Sequence, residues 1–202
     1  GLPMGKTNTP EWSAGGNTRN RVNGVTANPY DLTRTCAGSS GGSAVALACD
    51  YAPLATGSDT GGSLRNPAAY CGIVGYRPSP GVVPGNTRAA GLIPMPTSGP
   101  MARSVADAGL MLSVLARPDR NDPFTTVIDG RTPWDAASFA NLPRRDLGAL
   151  RIAVTEDYGF APTETLIRNH FRAILPKLAP FMGKVTEATP DCTDADRIFS
   201  VL

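Results

Sequence analysis

Gly57-Ser58-Asp59-Thr60-Gly61-Gly62-Ser63 follows a short extended piece, Leu54 to Thr56, and precedes a short helix expected after Pro67. A chain that turns this sharply needs glycine, which reaches positive φ without a Cβ clash. Bare glycines also leave backbone N–H groups able to converge on one anion. A serine at the end of such a run sits where a tetrahedral oxyanion could meet the amides of Thr60, Gly61, Gly62 and Ser63. Upstream lies a second run of the same kind, Gly38-Ser39-Ser40-Gly41-Gly42-Ser43. It opens Ala44-Val45-Ala46-Leu47-Ala48-Cys49, an alanine-rich stretch with high helix propensity and small residues on every face, hence a buried helix.

Working outward, residues 1 to 36 are rich in Asn, Thr, Gly and Pro without periodicity, and read as a long ordered loop. Ile73 to Tyr76 reads as a buried strand, and residues 78 to 100, dense in Pro and Gly, as an irregular connection. Ser104 with Asp107 three residues on is a capping-box variant. It opens a helix with an inward stripe of Val105, Ala108, Met111, Leu112 and Leu115, ended by Arg117-Pro118. Residues 119 to 149 are polar and are expected on the surface. Beyond them Leu150 to Val154 reads as a strand and Glu164 to Leu178 as an amphipathic helix. A strand around Val185 and a helix from Asp194 follow. That alternation predicts an α/β fold, a mixed β-sheet flanked by helices.

Composition excludes several classes. Hydrophobic residues make up 41% and charged residues 18% of the 202, which suits a globular chain rather than a disordered one. A net charge of +2, with Arg and Lys scattered, argues against nucleic acid and anionic membrane surfaces as partners. No apolar run approaches the roughly 20 residues that span a bilayer. Cys36, Cys49, Cys71 and Cys192 form no C-x-x-C pair and His170 is the single histidine, so a zinc site is not expected. Free thiols in a reducing cytoplasm are the expectation instead.

The glycine runs admit other readings. Both could be ordinary tight turns. Neither fits G-x-x-x-x-G-K-[ST], so a phosphate cradle has no lysine. Gly38 to Gly42 matches the G-x-S-x-G nucleophile elbow with Ser40 at its centre, but that elbow needs a preceding strand, and Asp31 to Cys36 is short of β-formers. His170, between Asn169 and Phe171 in an amphipathic helix, reads as an exposed residue rather than a base. No S-x-x-K motif is present either.

Several blocks, in this order, resemble the amidase signature family: Lys6 to Glu11, Ala37 to Ala44, Gly57 to Arg65, Pro67 to Gly75 and Gly99 to Asp107. The likeness is strong over residues 1 to about 120 and loose beyond. Ala37 stands where many members have glycine, and Ser58 where threonine is common. The resemblance implies amide hydrolysis without metal or cofactor, with Ser63 as nucleophile. Ser39 would be the bridging serine, 24 residues upstream and preceded by a cis Gly38–Ser39 bond. Ser40 would give a supporting hydrogen bond, Asp59 and Arg65 would brace the loop, and the amides of Thr60 to Ser63 would form the oxyanion hole. Trp12 and Ser13 are weaker candidates for lining the acyl pocket, Trp12 being equally readable as core.

The same resemblance implies a catalytic lysine after an upstream apolar strand. Lys6 matches the variable residue before Thr7-Asn8, so it reads as an exposed loop lysine, and the catalytic one is expected outside this chain. The chain then reads as part of an amidase signature domain. Its core would span about 1–120, with a surface excursion at 121–149 and the start of a further α/β region at 150–202, and with fold continuing beyond both ends. The expected partner is a small-molecule amide in the cytoplasm, and a homodimer stays open. Two other readings stay open too. One is a glutamine-hydrolysing amidotransferase component, disfavoured because Pro94 to Gly99 lacks a Ser-Ser-Leu-Asp-like run. The other is a non-catalytic homologue serving as a binding module.

Overall fold

Residues 1 to 18 form the expected loop apart from one helical turn, whereas residues 19 to 35 pair with themselves. In the computed structural model, which describes residues 1–85 and 92–201, two antiparallel hairpins occupy the segment. β1 (Arg19–Asn20) pairs with β2 (Gly24–Val25), and β3 (Ala27–Asn28) with β4 (Asp31–Thr35). β4 is exposed at every residue, so it carries no polar–apolar alternation to read. Asparagines make the turns: Asn20 Oδ1 accepts from the Val22 and Asn23 amides at 2.9 and 2.7 Å, and Asn28 Oδ1 from the Tyr30 amide at 2.9 Å. A single turn of 3-10 helix covers Glu11–Ser13.

α1 (Gly41–Ala48) is the expected buried helix, and its first turn shows why it needs glycine. A Cβ on Gly41 would overlap Thr18 Oγ1, and one on Gly42 would overlap the Asn8 backbone. At the other end Arg103 caps the helix, donating to Leu47 O at 3.0 Å and Ala52 O at 2.8 Å while pairing with Asp50 at 2.9 Å. A cation there meets the negative end of the helix dipole.

The sheet beside α1 is antiparallel, in the order β5 (Leu54–Asp59), β7 (Thr97–Ala102), β6 (Val74–Gly75). β5 runs three residues beyond Thr56, so the glycine run begins as strand. α2 (Arg65–Cys71) leads from the run towards β6. β6 is the expected strand, though only half-buried. β7 is the correction to the irregular reading of 78–100; residues 86–91 of that stretch lie outside the described residues. Pro96, Gly99 and Pro100 disguise it, since proline ordinarily marks an edge. Pro100 is tolerated in the middle because its carbonyl still accepts from the Tyr76 amide at 3.1 Å. Leu47, Leu64, Met101, Cys36 and Cys71 form the core between sheet and helices. Burial pushes the Cys36 thiol up, and with Cys36 and Cys49 nearby it pushes Cys71 up to about 11.

α3 (Val105–Leu115) starts where expected, with Ser104 Oγ accepting from the Asp107 amide at 3.1 Å. Its inward face differs from the expected stripe. Val105 is 60% exposed, and Ala108, Gly109 and Leu112 are buried. The reason is its partner, the 3-10 turn Ala136–Ala140, which lies so close that a Cβ on Gly109 would stand 2.5 Å from Phe139 O. Trp134 joins this second core by donating to Ala116 O at 3.0 Å. Residues 134–140 of the polar excursion therefore pack on α3.

The described residues divide into two compact units, Gly1–Leu142 and Pro143–Leu202. In the second, β8 (Arg151–Val154) runs parallel to β9 (Lys184–Glu187), with α4 (Thr165–Leu178) between them and α5 (Ala195–Ser200) after. Parallel neighbours require such a crossover. Glu156 holds Arg172 through two bonds of 2.7 and 2.5 Å and pairs with Arg168 at 3.4 Å. Helices and strands of both directions thus form the predicted α/β fold, with the antiparallel and parallel strands in separate sheets. No helix among the described residues is long and apolar enough to cross a membrane.

Replacing Gly109 by Ala should force α3 away from Phe139. The expected cost is about 1–3 kcal/mol, read as a lower urea midpoint at unchanged m-value.

Candidate active site

Asp59, at the end of β5, is completely buried, and the turn that follows is built on its carboxylate. Oδ1 accepts from the Gly62 amide at 2.7 Å, and Oδ2 from the Leu64 and Arg65 amides at 3.2 and 3.4 Å. The Arg65 guanidinium closes a two-point pair, Nε to Oδ2 at 2.9 Å and Nη2 to Oδ1 at 3.0 Å. This is the expected brace, and Arg77 adds a second cation at 3.4 Å from Oδ1. Burial alone would raise the Asp59 pKa; the Arg65 guanidinium and the amide donors outweigh it and hold the carboxyl below its usual range.

The turn delivers Ser63, half-buried, to the foot of α2. Gly62 adopts φ 121°, a conformation closed to other residues, and a Cβ there would stand 2.5 Å from Asn66 Nδ2. Its amide is committed to Asp59, which corrects the expected oxyanion set: the remaining candidate donors are the amides of Thr60, Gly61 and Ser63.

The second glycine run meets the first through its backbone. The Ser40 amide donates to Ser63 O at 3.3 Å. Ser40 Oγ accepts from the Ser58 amide at 3.2 Å and donates to Ser58 O at 3.4 Å. Ser39 and Ser40 are buried, and the Gly38–Ser39 peptide bond is cis. Upstream, Ala37 holds φ 60°, and its carbonyl accepts from Thr18 Oγ1 at 2.8 Å.

A cavity of about 370 Å³ opens beside Ser39, its wall rich in hydroxyls that include Thr7, Ser13, Ser43, Ser58 and Ser98. Ser43 Oγ donates to Thr56 O at 3.0 Å and shares a 2.9 Å bond with Thr7 Oγ1. Of the two weaker candidates, Ser13 lines this cavity and Trp12 does not. Trp12 is 92% exposed with φ 58°, so it is no part of the core either.

The elbow reading needs one correction and still fails. β4 does precede Ser40 and α1 follows it, so strand, turn and helix are in order. The Ser40 hydroxyl, however, is buried and bonded to both backbone groups of Ser58, while His170 stands exposed on α4. Arg77 and Ser43 escaped the sequence reading. Arg77 lies 18 residues from its partner Asp59 in no motif, so no local signal marks it.

A family model described as Amidase matches residues 1–197. An acylamidase of Rhodococcus erythropolis is 39% identical over 193 residues, 94% of this chain and 39% of that protein. A glutamyl-tRNA(Gln) amidotransferase subunit of Thermus thermophilus is 45% identical over 157 residues, 76% of this chain and 32% of that protein. Among solved structures, a bacterial aryl acylamidase of the amidase signature enzymes superimposes with a TM-score of 0.86 at 31% identity. The match covers 98% of this chain and 39% of that one. The chain thus spans about two-fifths or less of each of these relatives.

Because the folded Asp59 pKa is depressed, its stabilisation is complete above about pH 4, the unfolded carboxyl value, and is lost as pH falls through the folded value. Asp59→Asn should cost about 3–5 kcal/mol at pH 7, measured by urea unfolding, because both arginines lose their carboxylate. The cost should shrink as pH falls below about 4.

Proposed function

The chain belongs to the amidase signature family, and on that premise we propose that the full-length protein hydrolyses a carboxylic acid amide through an acyl-Ser63 intermediate. The observation that carries the reading is the 3.3 Å bond from the Ser40 amide to Ser63 O. It ties the segment bearing Ser39 to the residue that would be the nucleophile, although 24 residues separate the two serines.

In this mechanism Ser63 Oγ attacks the amide carbonyl carbon and passes its proton to Ser39 Oγ. The Ser39 proton goes in turn to a neutral lysine amine supplied from outside these 202 residues. The amides of Thr60, Gly61 and Ser63 hold the oxyanion of the tetrahedral intermediate. Its collapse breaks the C–N bond, and the departing amine takes the proton back through Ser39. Water then cleaves the acyl ester, regenerating Ser63 and releasing the acid. No step needs a metal or organic cofactor. A reducing cytoplasm suits the four free cysteines.

The amidotransferase reading keeps its own support, since the Thermus thermophilus protein is 45% identical over 157 residues. The two are separated by assaying the purified full-length protein on simple amides and on glutamine. Turnover of simple amides by the protein alone favours the amidase. Co-purification of partner proteins with activity confined to glutamine favours the amidotransferase.

In the full-length protein Ser63→Ala should abolish both amide turnover and labelling by a fluorophosphonate, and Ser39→Ala should lower kcat about 10²–10⁴-fold. Unchanged function in Ser63→Ala would leave the binding-module reading standing. The 202-residue piece alone should not label, and adding the upstream segment should restore labelling; stoichiometric labelling of the piece by itself would show the lysine to be dispensable.

A further inference from the structure

Two cations meet Asp59, and their surroundings differ. The Arg65 side chain is 57% exposed, so water and salt screen its pair. The Arg77 side chain is 25% exposed, and its Nε is buried without a hydrogen bond, 3.4 Å from Asp59 Oδ1. A buried guanidinium nitrogen left in that state is expensive unless a charge compensates it, and Asp59 is the carboxylate it meets. The same oxygen accepts the Gly62 amide, so the contact bears on the residue just before Ser63. The other end of the guanidinium is tied down, with Nη2 donating to Met95 O at 2.9 Å. Met95 precedes β7, whose Ser98 lines the cavity beside Ser39.

We propose that Arg77 is a positioning residue for Ser63: it clamps Asp59 Oδ1, and with it the Gly62 amide, to the entry of β7. Resting on the Ser63 reading for its catalytic consequence, the clamp keeps the turn in register with the cavity wall when Arg65 is screened. Among the described residues, Arg65 and Arg77 are the charged groups that meet Asp59. The rest of β5, β7 and α1 carry no charged residue.

The test uses the full-length protein with Arg77→Gln, which removes the charge but keeps an amide donor for Met95, and Arg77→Lys, which keeps the charge. Two quantities are followed against pH: the rate of Ser63 phosphonylation by a fluorophosphonate, and the carboxyl ¹³C shift of Asp59, assigned with Asp59→Asn. Arg77→Gln should slow phosphonylation about tenfold and raise both the acid limb of the rate and the Asp59 midpoint by about one pH unit. Its KM for amide should stay within about twofold while kcat falls. Arg77→Lys should restore both limbs. An Asp59 midpoint unmoved by Arg77→Gln, or raised as far by Arg77→Lys, overturns the proposal. Should Arg77→Gln fail to fold, the Asp59 midpoint in Arg77→Lys decides alone: unmoved supports the clamp, and raised by a unit sinks it. Absence of wild-type phosphonylation would sink the Ser63 reading, while the Asp59 titration would still decide the role of Arg77.

Discussion

A carboxylate with no exposure to water organises this molecule. Removing Asp59 from solvent would be prohibitive for an isolated charge, and the chain answers with three backbone amides and two guanidinium groups. Those groups come from residues 62, 64, 65 and 77, so satisfying the charge also dictates the path of the chain around it. The turn after β5 is therefore a consequence of electrostatics as much as of glycine. Glycine makes the φ of 121° at position 62 accessible; Asp59 makes that conformation the one adopted.

The second constraint is close backbone approach. Two glycine runs can share a hydrogen bond only if little side-chain bulk stands between them, and the Ser40–Ser63 contact is such a bond. The same economy of volume recurs along the site. Gly41 and Gly42 admit Thr18 and Asn8 against the start of α1, Gly57 lies against Leu64 and Ser40 Oγ, and Gly99 lies against the Tyr76 carbonyl. The hydroxyl-rich cavity beside Ser39 is what remains between these backbones. In this setting the buried serines act as fixed polar groups, since Ser40 and Ser43 spend their hydroxyls on the carbonyls and amide of β5.

Legibility followed the range of the interactions. The helix at Gly41, the cap at Ser104, the strand at Leu150 and the helix ending at Leu178 depend on neighbours within a turn or two, and each stands where its local pattern points. The hairpins of the first 36 residues and β7 did not announce themselves. β4 has no buried face, and β7 contains a proline whose acceptability depends on which of its backbone groups the neighbouring strand uses. Val105 reads as a core residue by spacing, yet it is exposed. The surface packed on α3 comes from residues 136–140, which no helical periodicity can reveal. Trp12 is exposed here, which spacing and residue type alone do not reveal.

The family resemblance supplied the pairing of Asp59 with Arg65, and the sequence by itself determined the α/β class and the two glycine runs. These rest on short spacings, on propensities, and on residue types with few conformational alternatives. Only the tertiary structure decided that the Gly62 amide donates to Asp59, that the Ser40 hydroxyl bonds Ser58, and that Arg77 reaches Asp59 from outside the run. Each of those is a choice among several acceptors or donors equally close in sequence terms. The choice is made when β5, β7 and α1 come together and bring one partner into polar contact.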